Sequence, residues 1–127
     1  MRTKLAVAGL LASLAFPVSV HAHHSTVAEY DHSLTVEFEA VLERFEWVNP
    51  HVWFYYRETL ADGSVKRWSV QSHSPGGMRR QILIEYDGSI EFALGLRHKV
   101  TVAPHRANSA DGLLRSMQFP DGTVFAP

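Results

Sequence analysis

Leu34-Thr35-Val36-Glu37-Phe38-Glu39-Ala40-Val41-Leu42-Glu43-Arg44-Phe45-Glu46-Trp47 reads as one long strand that turns over partway. Leu34, Val36, Phe38, Ala40 and Leu42 alternate with Thr35, Glu37, Glu39, Val41 and Glu43. That is the period of a strand with one buried face and one wet face. Beyond Glu43 the phase slips, and Phe45 and Trp47 take the bulky positions with Arg44 and Glu46 around them. A strand that changes face midway needs a β-bulge or a sharp bend, the device by which small closed barrels turn a corner.

Downstream, Asn49-Pro50 signals a turn, and 51–59 is a second strand rich in aromatic and β-branched residues. Its alternation puts Val52, Phe54 and Tyr56 on one face and Trp53 and Tyr55 on the other. Asp62-Gly63 marks a hairpin, and 65–71 is a third strand with Trp68 and Val70 on one face. Ser74-Pro75-Gly76-Gly77 breaks the pattern. The segment 78–86 then predicts one or two helical turns, with Met78, Ile82 and Glu85 or Tyr86 on one side and Gly88 as its end. Phe92, Leu94 and Leu96 form a short apolar patch ahead of a fourth strand over 98–103. A loop over 108–112, a fifth strand over 113–119, a Pro120-Asp121-Gly122 turn and a short extended piece over 123–125 complete the chain. The expected fold is all-β: a small five-stranded OB-like barrel with one short helix after strand three, occupying 34–127 as a single domain. A sandwich of similar strands is the competing architecture.

Upstream, residues 1–22 have the form of a removable export signal. Arg2 and Lys4 give a positive start, 5–16 is apolar, Pro17 breaks the run, and Val20 and Ala22 occupy the small-residue cleavage positions. The apolar run is too short to span a bilayer, which needs roughly 20 residues. Cleavage after Ala22 leaves a chain that starts His23-His24-Ser25, with 23–33 as a polar N-terminal arm. The expected location is the periplasm or the medium. Loss of Arg2 and Lys4 leaves 10 basic residues against 13 acidic ones, a net charge of about −3 with neutral histidines. Nucleic acid is a poor partner for such a domain, since it requires a basic footprint. No membrane span is expected after cleavage. The chain has no cysteine, so disulfides, thiol nucleophiles and thiolate metal sites are all excluded.

The mature start His23-His24-Ser25 with Tyr30-Asp31, and the stretch Phe45-Glu46-Trp47-Val48-Asn49-Pro50-His51, resemble an uncharacterised family of short exported bacterial proteins, the domain-of-unknown-function family 6152. Ser74-Pro75 with Arg79-Arg80, and Gly112-Leu113-Leu114-Arg115-Ser116 ahead of Pro120-Asp121-Gly122, extend the resemblance over essentially the whole mature chain. Members typically carry a Lys-Pro-Gly-Asp-like turn before the fourth strand, where this chain has Gly95-Leu96-Arg97-His98. The resemblance implies an exported small β-protein and no established activity.

Seven histidines remain after cleavage: His23, His24, His32, His51, His73, His98 and His105. His23 at a new N-terminus offers an α-amine and an imidazole on one residue. Together with one further imidazole, from His24, His51 or His105, they form a three-nitrogen brace of the tetragonal kind that copper(II) favours. The plainer reading is a polar arm with no metal, and a His51 that hydrogen-bonds structurally at the start of its strand. His73 and His105 are expected to approach one barrel end, and His32 and His98 to lie on the surface. Trp47, Trp53 and Tyr55 are a candidate stacking platform for a ligand. The alternative is that core and arm cover both faces. Arg79, Arg80, Arg106 and Arg115 read as separate salt bridges, with Glu85, Asp87 or Asp111, more readily than as one anion site. Glu37, Glu39 and Glu43 read as a solvated face. No Gly-x-Ser-x-Gly, phosphate loop or His-Glu-x-x-His is present, and no enzyme is expected. Two readings remain: an exported binding or accessory module with unknown ligand, and a copper-binding protein.

Overall fold

The computed structural model describes residues 25–85 and 93–127. The elements run α1 (Thr26–Glu29), β1 (Val36–Trp47), β2 (Val52–Thr59), β3 (Val65–Gln71), α2 (Pro75–Glu85), β4 (Arg97–Pro104), β5 (Asp111–Gln118) and β6 (Val124–Phe125). The sheet order is β3-β2-β1-β4-β5-β6, and a parallel pairing of β3 with β5 closes the first five strands into a barrel. The expected OB-like form is therefore present, with α2 between β3 and β4.

The phase slip in the opening strand is a register shift between Leu42 and Arg44. Val36 to Val41 pair with β4, and from Val41 to Trp47 the strand pairs with β2 across the shift. One strand thus serves two sides of the barrel. Phe38, Ala40 and Leu42 point inward before the shift, and Phe45 and Trp47 pack against the core after it. Val52, Phe54 and Tyr56 of β2, Trp68 and Val70 of β3, Val100 and Val102 of β4, and Leu114 and Met117 of β5 complete the interior. Phe38 stacks face to face on Trp68 with centroids 4.1 Å apart, an aromatic pair worth ~0.5–1.5 kcal/mol beyond its burial. The outer face carries cross-strand ion pairs, Lys99–Glu37 at 2.9 Å, Arg97–Glu39 at 3.7 Å and Arg57–Glu43 at 2.9 Å. This is the solvated face the glutamates imply.

Gly112 holds a tight crossing where β5 touches both β3 and β4: a Cβ there would lie 2.7 Å from Val102 Cβ. In the Asp62-Gly63 hairpin, Gly63 takes the left-handed conformation (φ 83°), and Asp62 accepts from the Ser64 backbone.

Several expectations need correction. The helix begins at Pro75, not after the Gly pair. Ser74 Oγ accepts from Gly77 N–H at 3.2 Å and Met78 N–H donates to Ser74 O, so Ser74 caps a helix whose first residue is proline. The residues 111–112, read as loop, belong to β5. Leu94 and Leu96 of the expected apolar patch are exposed, and the neighbouring Ala93 is buried. His98, read as a surface residue, is fully buried. It shares its inward phase with Val100 and Val102, while Arg97 and Lys99 point out. The position of Tyr86, Gly88 and Phe92 lies outside the described residues, as does that of 1–24.

Candidate functional site

The segment ahead of β1 is built into the barrel. Arg106 N–H donates to Glu29 O at 2.8 Å and Asp31 N–H to Pro104 O at 2.8 Å, which fastens α1 beside the end of β4. Tyr30 is 1% exposed, and its ring meets that of His105 edge-on at 5.2 Å. Its hydroxyl lies 3.1 Å from Gln71 Oε1 and 3.3 Å from Asp111 Oδ1, so one phenolic group ties together the ends of β3 and β5. Burial, then the neighbouring Asp111, push the Tyr30 hydroxyl well above the ordinary phenol range. Burial also raises the Asp111 carboxyl, against the lowering effect of His105.

The loop from β4 to β5 is internally tied. His105 Nδ1 accepts from Ala107 N–H at 3.0 Å and Asn108 N–H at 3.1 Å, and Asn108 Oδ1 accepts from Ala110 N–H at 3.0 Å. The Arg106 guanidinium reaches Val27 O and Asp31. Between this loop, the arm and β3 runs a groove of about 540 Å³. Leu34, Val36, Trp68 and Pro104 give it apolar walls, Lys66 gives it a positive edge, and Arg106 lines it paired with Asp31. Lys66 Nζ sits 3.7 Å above the Trp68 ring, whose Nε1–H donates to Glu58. A groove of this size, mostly apolar with a few polar groups at its edge, has the character of a small-molecule site.

The residues singled out from sequence are distributed as follows. Trp53 and Tyr55 lie on the outer face of β2, opposite Glu46 and Arg44. Tyr55 OH donates to Glu46, Arg44 covers the Tyr55 ring at 3.8 Å, and Arg44 also pairs with Glu46. Trp47 faces the other way, opposite Val52, half-buried against Phe45 with Arg79 5.4 Å from its ring. The three aromatics therefore do not share one surface. His51 is half-buried with Nδ1 shielded and without a partner, and His73 is exposed. His23 and His24 lie outside the described residues. The backbone hydrogen bonds to His105 Nδ1 place its proton on Nε2, because an amide N–H only donates. A ligating imidazole has the opposite arrangement, with a lone pair toward the metal and its other nitrogen donating. Among the described residues no group of three or more His, Asp or Glu side chains is placed to hold a metal ion. Of the arginines, Arg115 binds Thr35 Oγ1 and His32 O, Arg106 pairs with Asp31 rather than Asp111, and Arg79 lies over Trp47, while Asp87 and the Glu85 side chain lie outside the described residues.

Sequence reasoning missed Tyr30, Lys66 and the β4–β5 loop as a unit. Tyr30 belongs to no periodic run, and Lys66 gains its meaning only from standing over Trp68. The signal for the loop was present in His105-x-x-Asn108, two side chains able to accept from their own following backbone.

No helix among the described residues is long and apolar enough to cross a membrane. Comparison with curated proteins and with solved structures finds no match. A family model does match residues 10–115, most of the chain, and the protein belongs to the Family of unknown function (DUF6152).

Proposed function

We infer that the protein is an exported, non-catalytic binding or accessory module, and that its ligand occupies the groove between Lys66, Trp68 and the β4–β5 loop. The observation that carries this reading is the groove's build: apolar walls, a cationic edge at Lys66 beside the Arg106–Asp31 pair, and a loop held in one shape by its own side chains. Barrels of this form commonly receive ligands on the β2–β3 face and the β4–β5 loop, a fold-level analogy that supports the location and not the chemistry. Export to the periplasm or medium rests on the leader-like residues 1–22. The Lys66 edge and the apolar walls favour a small organic anion with an apolar body. Titration of the mature protein with a panel of aromatic and aliphatic carboxylates, followed by amide NMR, tests it. Shifts are expected at Leu34, Lys66, Trp68 and 105–109, and should be lost in Lys66→Ala with Arg106→Ala. Shifts elsewhere, or none, overturn the assignment.

The second reading is copper held by His23. It is favoured by the fastening of α1 beside β4, which fixes Ser25, two residues from His23, to a defined part of the barrel. His105 enters such a site only by giving up its two loop hydrogen bonds, so His24 or His51 is the better partner. N-terminal acetylation removes the amine and spares every imidazole. Copper(II) bound as tightly by the acetylated as by the free protein eliminates this reading.

A further inference from the structure

His98 is the one histidine of the described barrel interior, and nothing in the binding groove uses it. It is 0% exposed, and neither ring nitrogen has a hydrogen-bond partner. Its ring meets Phe119 edge-on at 4.8 Å and Tyr56 at 6.1 Å. The charged neighbours turn away: Arg97 and Lys99 flank it on β4 but pair outside with Glu39 and Glu37 of β1. Opposite it on β1 stands Ala40. From β2 the facing titratable group is the Tyr56 hydroxyl, which points to Met117 sulfur. Among the described residues no carboxylate meets the ring.

A proton on this imidazole would leave two N–H donors and a positive charge with no acceptor, so protonation must bring water to the ring. The covers of the ring differ in how firmly they are held. Tyr56 lies mid-strand, paired to Leu42 on one side and Trp68 on the other. Phe119 lies one residue beyond the end of β5, where the last β4 pairing is Lys99 with Gln118. It continues into a turn with Phe119 N–H on Thr123 O at 2.8 Å and Gly122 N–H on Phe119 O at 2.9 Å, and then into β6, which pairs with β5 at two positions and is anchored by the buried Phe125.

We propose that His98 and the 119–123 turn form an acid-operated flap, in which proton uptake by His98 is coupled to displacement of Phe119 and hydration of the barrel end. Burial pushes the imidazole down to about 4 in the closed form, against an ordinary 6.5 once hydrated. The closed form therefore binds fewer protons than the open one between those values. Opening is favoured as pH falls through 6.5 and levels off below about 4, rising tenfold per pH unit between.

Hydrogen exchange of the whole protein, corrected for intrinsic rates, reads the opening at the Phe119 and Gly122 amides. From pH 6.5 to 4.5 their opening constant is expected to rise about 40-fold, while the Phe54 and Val100 amides remain more strongly protected. In His98→Leu the two turn amides are expected to change less than threefold. The His98 ring-proton shift, followed by NMR in the wild-type protein, serves whether or not that variant folds, and is expected to titrate below 6.5. A His98 midpoint at or above 6.5, a flat opening constant, the same rise in His98→Leu, or opening of Phe54 in step with Phe119 would each overturn the flap.

Discussion

Trp68 and Trp47 look alike in the sequence, each a bulky residue in an alternating run, yet the barrel treats them differently. Trp68 is 4% exposed, stacked on Phe38 and capped by Lys66. Trp47 only rests against the core. Trp68→Ala is therefore expected to cost ~3–5 kcal/mol, and Trp47→Ala roughly half that, by urea denaturation of both variants. Equal losses would mean that Trp47 is buried more deeply than its place opposite Val52 allows. Tyr30→Phe tests the polar tie between β3 and β5. It leaves Gln71 Oε1 and Asp111 Oδ1 without the phenolic donor, at an expected ~1–3 kcal/mol. It should also move the Asp111 carboxyl further up, since the Tyr30 hydrogen bond now lowers it. A pH titration of Asp111 by NMR in both proteins checks this shift. At this scale the sequence was least transparent. His98 has the phase of Val100 and Val102, and that phase, not its polar character, was the better guide. Tyr30 has no phase at all, because its burial comes from a partner 81 residues away.

Among the elements, the strands were legible because each carries the period-two pattern that half-burial imposes. The bend in β1 was legible for the same reason, since a bulge writes itself into the sequence as a change of phase at Leu42 and Arg44. The start of α2 was not, because Ser-Pro-Gly-Gly reads as a break until the Ser74 cap is seen. Nor was the groove, which depends on loop, arm and β3 meeting across 34 to 109. The closing element is the β3–β5 pairing, and Gly112 sits within it, opposite both Val70 and Pro104. Gly112→Ala would drive a methyl to 2.7 Å from Val102 Cβ and Cγ2, atoms close to the backbone that cannot swing aside. The expected cost is ~1–3 kcal/mol, the range for overpacking, with loss of amide protection from hydrogen exchange concentrated at 69–71. Val102→Ala in the same chain removes the two Cγ methyls and leaves only the Cβ contact at 2.7 Å, so the double variant should recover part of the loss relative to the sum of the single ones. Strict additivity would place the strain elsewhere.

The whole molecule holds its barrel without a disulfide, so its stability responds directly to what happens in the core. His98 makes that response acid-sensitive. Its folded value, about 4, lies below the ordinary 6.5, so the unfolded chain binds the extra proton between those values. Stability is at its full value above pH 6.5, falls as pH drops through the window, and has lost about 3 kcal/mol near pH 4 on this account alone. Asp111 works in the other direction. Its raised folded value means that the native state takes up a proton before the unfolded one, which returns some stability toward the acid end. Asp31, Asp62 and Asp121 are lowered by hydrogen bonds from Ser33, Ser64 and Thr123, so their contribution is present above 3.8 and is lost only below it. The fall between 6.5 and 4 is thus the signature of the buried imidazole, and the fall below 3.8 that of the turn aspartates. Urea unfolding at half-unit steps from pH 7 to 3 resolves the two. In His98→Leu the upper fall should flatten while the lower one stays. A wild-type curve flat from 6.5 to 4 would show that His98 is not the uncharged, unpartnered core residue its surroundings describe.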